Sequence, residues 1–186
     1  MIGRKASREE IKARWAFSEL RTERGKDLYA NLHPQRIRDG IPFERLSAGE
    51  RQHLVWMTER GRANLVLGLA ADYYECDLWT KERLGRAYTL SGLAPDRKRS
   101  IPFLSFVASP RFRAGPNSEF FAKMDPRVQA DMIPFDNTYR QEEPIIVARQ
   151  NAREFLIDGY LRGILFLRDP DPDARIMVWV PASTET

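Results

Sequence analysis

The chain has 186 residues, 42% of them hydrophobic and 30% charged, with a formal net charge of +4. That apolar content supports one sizeable core and excludes a globally disordered chain, and no apolar run approaches the roughly 20 residues of a membrane span. The single cysteine, Cys76, excludes an intramolecular disulfide. With no apolar signal segment at the N-terminus, we expect a cytoplasmic protein in which this thiol is a small buried group.

Positive charge is concentrated in two segments. Residues 1–38 hold ten Lys or Arg against five Asp or Glu, a local excess of +5, and residues 96–127 hold seven against three, an excess of +4. Basic segments of this kind suit a polyanion such as nucleic acid. A solvated arginine-rich surface has the same composition, so both interpretations stay open at this point.

The first half of the chain predicts mainly helices. Two capping boxes, in which a serine precedes a glutamate by three residues, each open a predicted helix: Ser7 with Glu10, and Ser47 with Glu50. Gly61 fits the end of the second helix. The apolar residues of the segment 62–74 have helical spacing, which predicts a buried helix, and Thr80 predicts the N-cap of a further one.

The second half changes to strand patterns. The run "IPFLSFVAS" predicts a strand, and the last 45 residues predict strand, turn, strand, helix and strand in that order. This order indicates a small mixed sheet with one covering helix. The fold class is therefore predicted as α+β, with a helical N-terminal region (1–95) packed on a sheet-containing core (96–186). No Gly/Ser linker separates the two regions, so we expect one compact body.

The junction "DGYLRG" lies between the second of these strands and the helix. Gly159 permits close approach of a ligand to the backbone, and the first amides of a helix form an anion site with the helix dipole. Arg162 follows one turn later, so its guanidinium could hold a phosphate at the same helix end. The alternative is that Gly159 relieves a tight turn while Arg162 is solvated.

Cleavage of a phosphodiester commonly uses acidic residues that hold Mg²⁺. The acidic candidates near the core are Asp136, Glu142, Glu143, Glu154 and Asp158. Asp158 and Glu142 are the weak metal candidates. The interpretation we favour is that Asp158 caps the helix and that Glu142 and Glu143 are solvated.

The basic residues that could contact a DNA backbone flank the predicted strand "IPFLSFVAS" on both sides. They are Arg97, Lys98, Arg99, Arg111 and Arg113. Surface solubility explains the same residues.

The pattern "PIIV…FLIDGYLRGILF…IMVWVP", over roughly residues 141–181, resembles the core of the ParB/sulfiredoxin superfamily. The resemblance implies that Gly159, Tyr160 and Arg162 form a nucleotide-binding site in which the glycine and the arginine hold the phosphates of ATP or CTP. Tyr160 stands where sulfiredoxins have their catalytic cysteine, which excludes thiol-based sulfinic acid reduction here. The second arginine of the ParB motif is also missing.

The architecture and size further resemble the oncogenic-suppression and fertility-inhibition proteins of conjugative plasmids. That resemblance implies an ATPase and Mg²⁺-dependent DNase that acts on DNA and blocks a component of a DNA-transfer machine. Arg162 and Asp158 would then be the catalytic residues. The alternative is a non-catalytic inhibitor or regulator that binds DNA or a protein with the same fold.

Overall fold

The computed structural model describes residues 1–20, 41–61, 69–89, 100–108, 126 and 143–182. The helices of these ranges are α1 (Arg8–Glu19), α2 (Ala48–Gly61), α3 (Lys81–Arg86), α4 (Phe103–Val107) and α5 (Tyr160–Arg168), with a 3-10 turn at Phe43–Arg45. The strands are β1 (Lys5–Ser7), β2 (Tyr73–Trp79), β3 (Ile145–Gln150), β4 (Arg153–Asp158) and β5 (Ile176–Pro181). None of the described helices is long and apolar enough to cross a membrane.

The five strands form one mixed sheet in the order β1-β2-β5-β3-β4. The β3–β5 pair is parallel and the other three pairs are antiparallel. The predicted α+β class and mixed sheet are confirmed. Strands β1 and β2, which lie before residue 95, extend the sheet that β3, β4 and β5 begin, so the sheet contains strands from both predicted regions.

Helices cover both faces of this sheet. Successive strand residues point to opposite sides, so the strands supply apolar side chains to both faces. On one face, Ile146 and Trp179 belong to the same buried cluster as the apolar residues of α1 and α2. On the other face, Ile145, Val147 and Val178 pack with the apolar residues of α3, α4 and α5. The core is therefore divided into two layers by the sheet.

A two-residue turn joins β3 to β4. Asn151 and Ala152 have φ angles of 50° and 59°, the left-handed pair that a type I′ turn requires. The resulting register pairs Ile146 with Asp158, with an irregularity between Ile146 and Val147. The end of β4 is thereby held beside the start of β3, which is where the candidate site lies.

The predicted helix starts are confirmed by their capping hydrogen bonds. Ser7 Oγ accepts from the Glu10 amide at 3.2 Å, and Thr80 caps α3 by accepting from the Arg83 amide at 3.1 Å. The box at α2 is reciprocal: the Ser47 amide donates to Glu50 Oε2 at 2.7 Å and the Glu50 amide donates to Ser47 Oγ at 3.2 Å. Helix α2 ends at Gly61.

The predicted strand "IPFLSFVAS" is wrong, because this segment contains α4. Phe103, Phe106 and Val107 are all buried at i, i+3 and i+4, so one helical face meets the core. The apolar run does not alternate, and a short run of this kind fits a strand or a buried helix equally.

The helix predicted over 62–74 is wrong at its end. Residues 62–68 lie outside the described ranges, but Tyr73 begins β2, in which Tyr74 and Cys76 are buried on the same face. Cys76 is 1% exposed, as predicted for a small buried group, and burial raises the pKa of its thiol.

Candidate functional site

Gly159 is the N-cap of α5 and has a left-handed backbone with φ of 90°. A Cβ on this residue would lie 2.2 Å from Ile145 Cγ2, and 3.2 Å from Arg162 Nη2. Strand β3 therefore approaches the backbone of the β4–α5 junction too closely for any side chain. Both the φ angle and this contact require glycine.

The Arg162 guanidinium lies over the same end of α5. Its Nη1 donates to the backbone carbonyl of Glu143, and its Nη2 donates to Asp158 Oδ2 at 2.9 Å. The side chains of Arg162 and Asp158 are each 15% exposed. The arginine is thus placed one turn beyond the glycine and beside the helix start, where the protein's own acceptors hold it.

Asp158 is held from two sides. Its Oδ2 accepts from Arg162, and its Oδ1 accepts from Trp15 Nε1 at 3.2 Å. The interpretation of Asp158 as a helix cap is wrong, because the N-cap is Gly159 and the carboxylate is used by these two donors. The aspartate instead joins α1 to the start of α5.

The Tyr160 side chain is turned into the core beneath α4. Its hydroxyl donates to the Leu156 carbonyl at 3.1 Å, and its ring packs edge-on against Phe103 and Phe106, with centroid distances of 5.6 and 5.8 Å. A ligand at the start of α5 would therefore meet the Tyr160 backbone and not its ring.

An ion cluster around the buried Arg14 supports the site from the α1 side. We call it the Arg14 cluster: Glu10, Arg14, Glu44 and Glu143. Arg14 is 2% exposed and donates to Glu10 at 2.9 Å, to Glu44 at 2.8 Å and to Glu143 at 3.1 and 3.3 Å. Its guanidinium carbon also lies 4.1 Å from the centre of the Phe43 ring.

Burial and neighbouring charges shift the pKa values of the Arg14 cluster in opposite directions. Burial alone would lower the pKa of Arg14, but the surrounding carboxylates, Glu143 above all, raise it above its ordinary value. Burial raises the pKa of Glu143, and the charge and hydrogen bonds of Arg14 offset only part of that increase. The hydrogen bond from Arg14 lowers the pKa of Glu44.

Glu143 connects the Arg14 cluster to Arg162. Its carboxylate accepts from Arg14 while its backbone carbonyl accepts from Arg162. Trp15, which follows Arg14 in α1, donates from Nε1 to Asp158. The prediction that Glu143 is solvated is therefore wrong, since the residue is 9% exposed and paired.

No motif in the sequence pointed to Arg14. Ile11, Arg14 and Trp15 have the i, i+3, i+4 spacing of one helix face, so an arginine interrupts an apolar stripe. A charged residue at such a position indicates a buried ion pair, and Glu10, four residues earlier, is one of its partners.

The described residues do not form an evident Mg²⁺ site. Among them, no group of three or more His, Cys, Asp or Glu side chains is close enough to hold a metal ion. Asp158 and Glu143 are both bound by guanidinium groups, and Glu154 pairs with Arg83 and Arg149 near the other end of β4. Glu142 and Asp136 lie outside the described residues. We therefore derive no step through a metal ion.

The predicted DNA contacts also lie outside the described residues: Arg97, Lys98, Arg99, Arg111 and Arg113.

The chain has no significant match to a protein-family model, to a curated protein or to a solved structure. Its functional assignment therefore depends on the geometry of the α5 junction and on the sequence pattern that resembles the ParB/sulfiredoxin core.

Proposed function

We propose that the protein is a ParB/sulfiredoxin-like nucleotide-binding protein that hydrolyses ATP and cleaves DNA, with its phosphate site at the N-terminus of α5. The observation that carries this proposal is the position of Arg162 over the same helix end as the left-handed Gly159. A helix N-terminus attracts anions, and a guanidinium binds two phosphate oxygens at once. Inhibition of DNA transfer would be the biological consequence.

Phosphate binding at this site requires an exchange of partners. Arg162 Nη2 donates to Asp158 Oδ2 at 2.9 Å. An incoming phosphate oxygen would replace that carboxylate, while the bond from Nη1 to the Glu143 carbonyl keeps the guanidinium in place. The arginine would therefore need only a small movement to take up the ligand.

Asp158 has a second role in this proposal. Once Arg162 binds phosphate, the carboxylate remains bonded to Trp15 Nε1 through Oδ1, and its Oδ2 becomes available to accept a proton from a water molecule. The oxygen of that water would form a new bond to phosphorus as the bond from phosphorus to the bridging oxygen breaks. The bridging oxygen would leave on ADP or, in DNA, on one strand end, where it takes a proton from solvent. When bound, ATP would supply the phosphate chain, and Mg²⁺ would offset its charge.

A non-catalytic inhibitor with the same binding site is the second candidate function. One observation favours it: each described carboxylate close to Arg162, namely Asp158 and Glu143, is already paired with a guanidinium. A site of this kind could bind a nucleotide without activating water. Purified protein that binds ATP and DNA but has no turnover would establish this alternative.

Substitution of Arg162 by alanine tests the catalytic proposal. We expect Arg162→Ala to reduce ATP hydrolysis and plasmid nicking in Mg²⁺ by at least about 100-fold, because the charge-stabilising donor is lost. Arg162→Lys retains the charge without the planar fork and should keep only part of the activity. The measurements are phosphate release and conversion of supercoiled plasmid.

Arg168→Ala is the matched control, because it removes an exposed arginine from the opposite end of the same helix. It should leave both activities within about twofold of wild type. Melting temperatures of all variants separate loss of activity from loss of fold. Normal ATP hydrolysis by folded Arg162→Ala would overturn the assignment of the site.

A further inference from the structure

A second candidate site lies at the other end of the β3–β4 hairpin. Here an open cleft of about 880 Å³ is lined on one side by residues of α3 and α4 and on the other by residues near the hairpin turn. Strand β4 runs from this cleft to the α5 junction, and its six residues span roughly 17 Å at about 3.3 Å per residue. The cleft is therefore separate from the proposed phosphate site.

Three arginines give the cleft a positive rim. Arg86, Arg149 and Arg153 outnumber the two carboxylates of the lining, Glu82 and Glu154. Arg86 pairs with Glu82 across 2.6 Å, but both side chains are more than 70% exposed, so this pair is weak and a phosphate can replace it. Exposed Arg153 has no salt bridge to a described residue.

An aromatic surface adjoins these arginines. Tyr88 lines the cleft, its ring centroid lies 5.8 Å from that of Phe155, and the Arg153 guanidinium lies 5.2 Å from the Tyr88 ring centre. The Tyr88 backbone is fixed to β4, because its amide donates to the Glu154 carbonyl and its carbonyl accepts from the Leu156 amide, both at 2.8 Å. Leu104, which is 59% exposed, adds apolar surface to the opposite side.

These features distinguish between two classes of anionic partner. The Tyr88 backbone already occupies the outer edge of β4, so an acidic peptide could not join the sheet there as an additional strand. A single-stranded nucleic acid would use both the aromatic surface and the arginines of the cleft. Its bases stack on aromatic rings and guanidinium planes, and its phosphates bind arginines. In a duplex the bases are stacked inside and cannot reach such a surface.

We propose that this cleft binds single-stranded nucleic acid, with bases stacked on Tyr88 and phosphates bound by Arg86, Arg149 and Arg153. The inference deepens the DNA-directed part of the proposed function, and it depends on that proposal only for the biological role of the strand. It assigns the contact to other residues than the basic runs identified in the sequence.

The test is fluorescence anisotropy with a labelled oligothymidylate, without nucleotide, over a series of salt concentrations. Replacing the three cleft arginines by glutamine should weaken binding at least tenfold and make the slope of log K against log salt shallower by about 2, at roughly 0.7 per lost phosphate contact. The matched control replaces three exposed arginines elsewhere: Arg45→Gln, Arg60→Gln and Arg175→Gln. This control should retain most of the affinity.

Stacking is tested separately at Tyr88. Tyr88→Leu should weaken binding about tenfold, whereas Tyr88→Phe should bind as wild type because it keeps the ring. Equal losses in the cleft and control triple variants would overturn the proposal. So would binding of duplex as tight as the single strand, or stronger competition by polyglutamate than by unlabelled oligonucleotide, which would indicate an acidic peptide.

Arg162→Ala separates this inference from the proposed function. It should bind the oligonucleotide as wild type does, even though its ATP binding is lost. Loss of oligonucleotide binding by folded Arg162→Ala would show that the two sites are not separate and would overturn the cleft assignment. Unchanged ATP binding by the same variant would contradict the proposed function and leave the cleft result standing.

Discussion

Gly159→Ala is expected to lower the free energy of unfolding by about 3 kcal/mol. The left-handed backbone costs a non-glycine residue about 1–2 kcal/mol, and the steric overlap of the new Cβ costs a similar amount. The overlap is specific, since the new Cβ would lie 2.2 Å from Ile145 Cγ2. The strand β3 must therefore move away from the start of α5. The measurement is urea unfolding followed by circular dichroism.

Gly49→Ala is the matched control for this substitution. Gly49 lies within α2, and a Cβ there would meet no atom within 4 Å. Alanine is the better helix former, so this variant should be unchanged or slightly more stable. Ile145→Ala should cost less in the Gly159→Ala background than in wild type, because it removes the overlapping methyl group. Wild-type stability of Gly159→Ala would contradict the described junction.

Arg14→Met is expected to lower the free energy of unfolding by at least about 3 kcal/mol, since removing one partner of a buried ion pair leaves the other charge without compensation. Arg14 is 2% exposed and binds three carboxylates, of which Glu143 is itself buried. Methionine retains much of the side-chain volume, so the loss reports the charge more than the packing. Denaturant unfolding at pH 7 measures it.

The loss of unfolding free energy in Arg14→Met, relative to wild type, should become smaller as the pH falls from 7 to 5. Without Arg14, the folded-state pKa of Glu143 rises further above its unfolded value. The folded protein then binds a proton that the unfolded chain does not, so stability increases as pH falls through that raised pKa. Glu44 does not contribute between pH 7 and 5, because the stabilisation from its lowered pKa is lost only as the pH falls below its unfolded pKa.

Lys12→Met is the control, because it removes a positive charge from the same helix. The Lys12 side chain is 9% exposed, but its partner Glu59 is 47% exposed and is solvated once the lysine is removed, so this loss should be less than about 1 kcal/mol. Adding Glu143→Gln to Arg14→Met should recover part of the stability at pH 7, as the unpaired charge is then absent. Equal costs for Lys12→Met and Arg14→Met, with no pH dependence, would contradict the buried cluster.

Local sequence signals predicted the elements that have a helix-capping residue or an apolar run of strand length. Capping residues located α1, α2 and α3, and apolar β-branched runs located β3, β4 and β5. Strands β1 and β2 were missed because β1 has only three residues and β2 follows a segment of helical spacing. The strand predicted at α4 is wrong because five residues without alternation carry no period, and only packing on the core decides the structure.

The candidate site was predictable only in its local part. The sequence places Gly159 and Arg162 one turn apart, and the structure places both at the start of α5. The partners that hold this end are distant in the chain: Trp15 lies 143 residues from Asp158, and Arg14 lies 129 residues from Glu143. Contacts of that separation depend on the sheet that brings α1 beside β3, which no local pattern encodes.

The ATP affinity of Asp158→Asn, measured by isothermal titration against wild type and Arg162→Ala, tests the proposed exchange most directly. Asparagine keeps one acceptor oxygen, enough for Trp15, but its amide nitrogen cannot accept from Arg162 as the second carboxylate oxygen does. The guanidinium therefore loses its competing anion, and ATP should bind about tenfold more tightly, the value of one charge-assisted hydrogen bond. Arg162→Ala should show no measurable binding. Weaker or unchanged binding by Asp158→Asn, together with wild-type affinity in Arg162→Ala, would contradict a phosphate site at the start of α5.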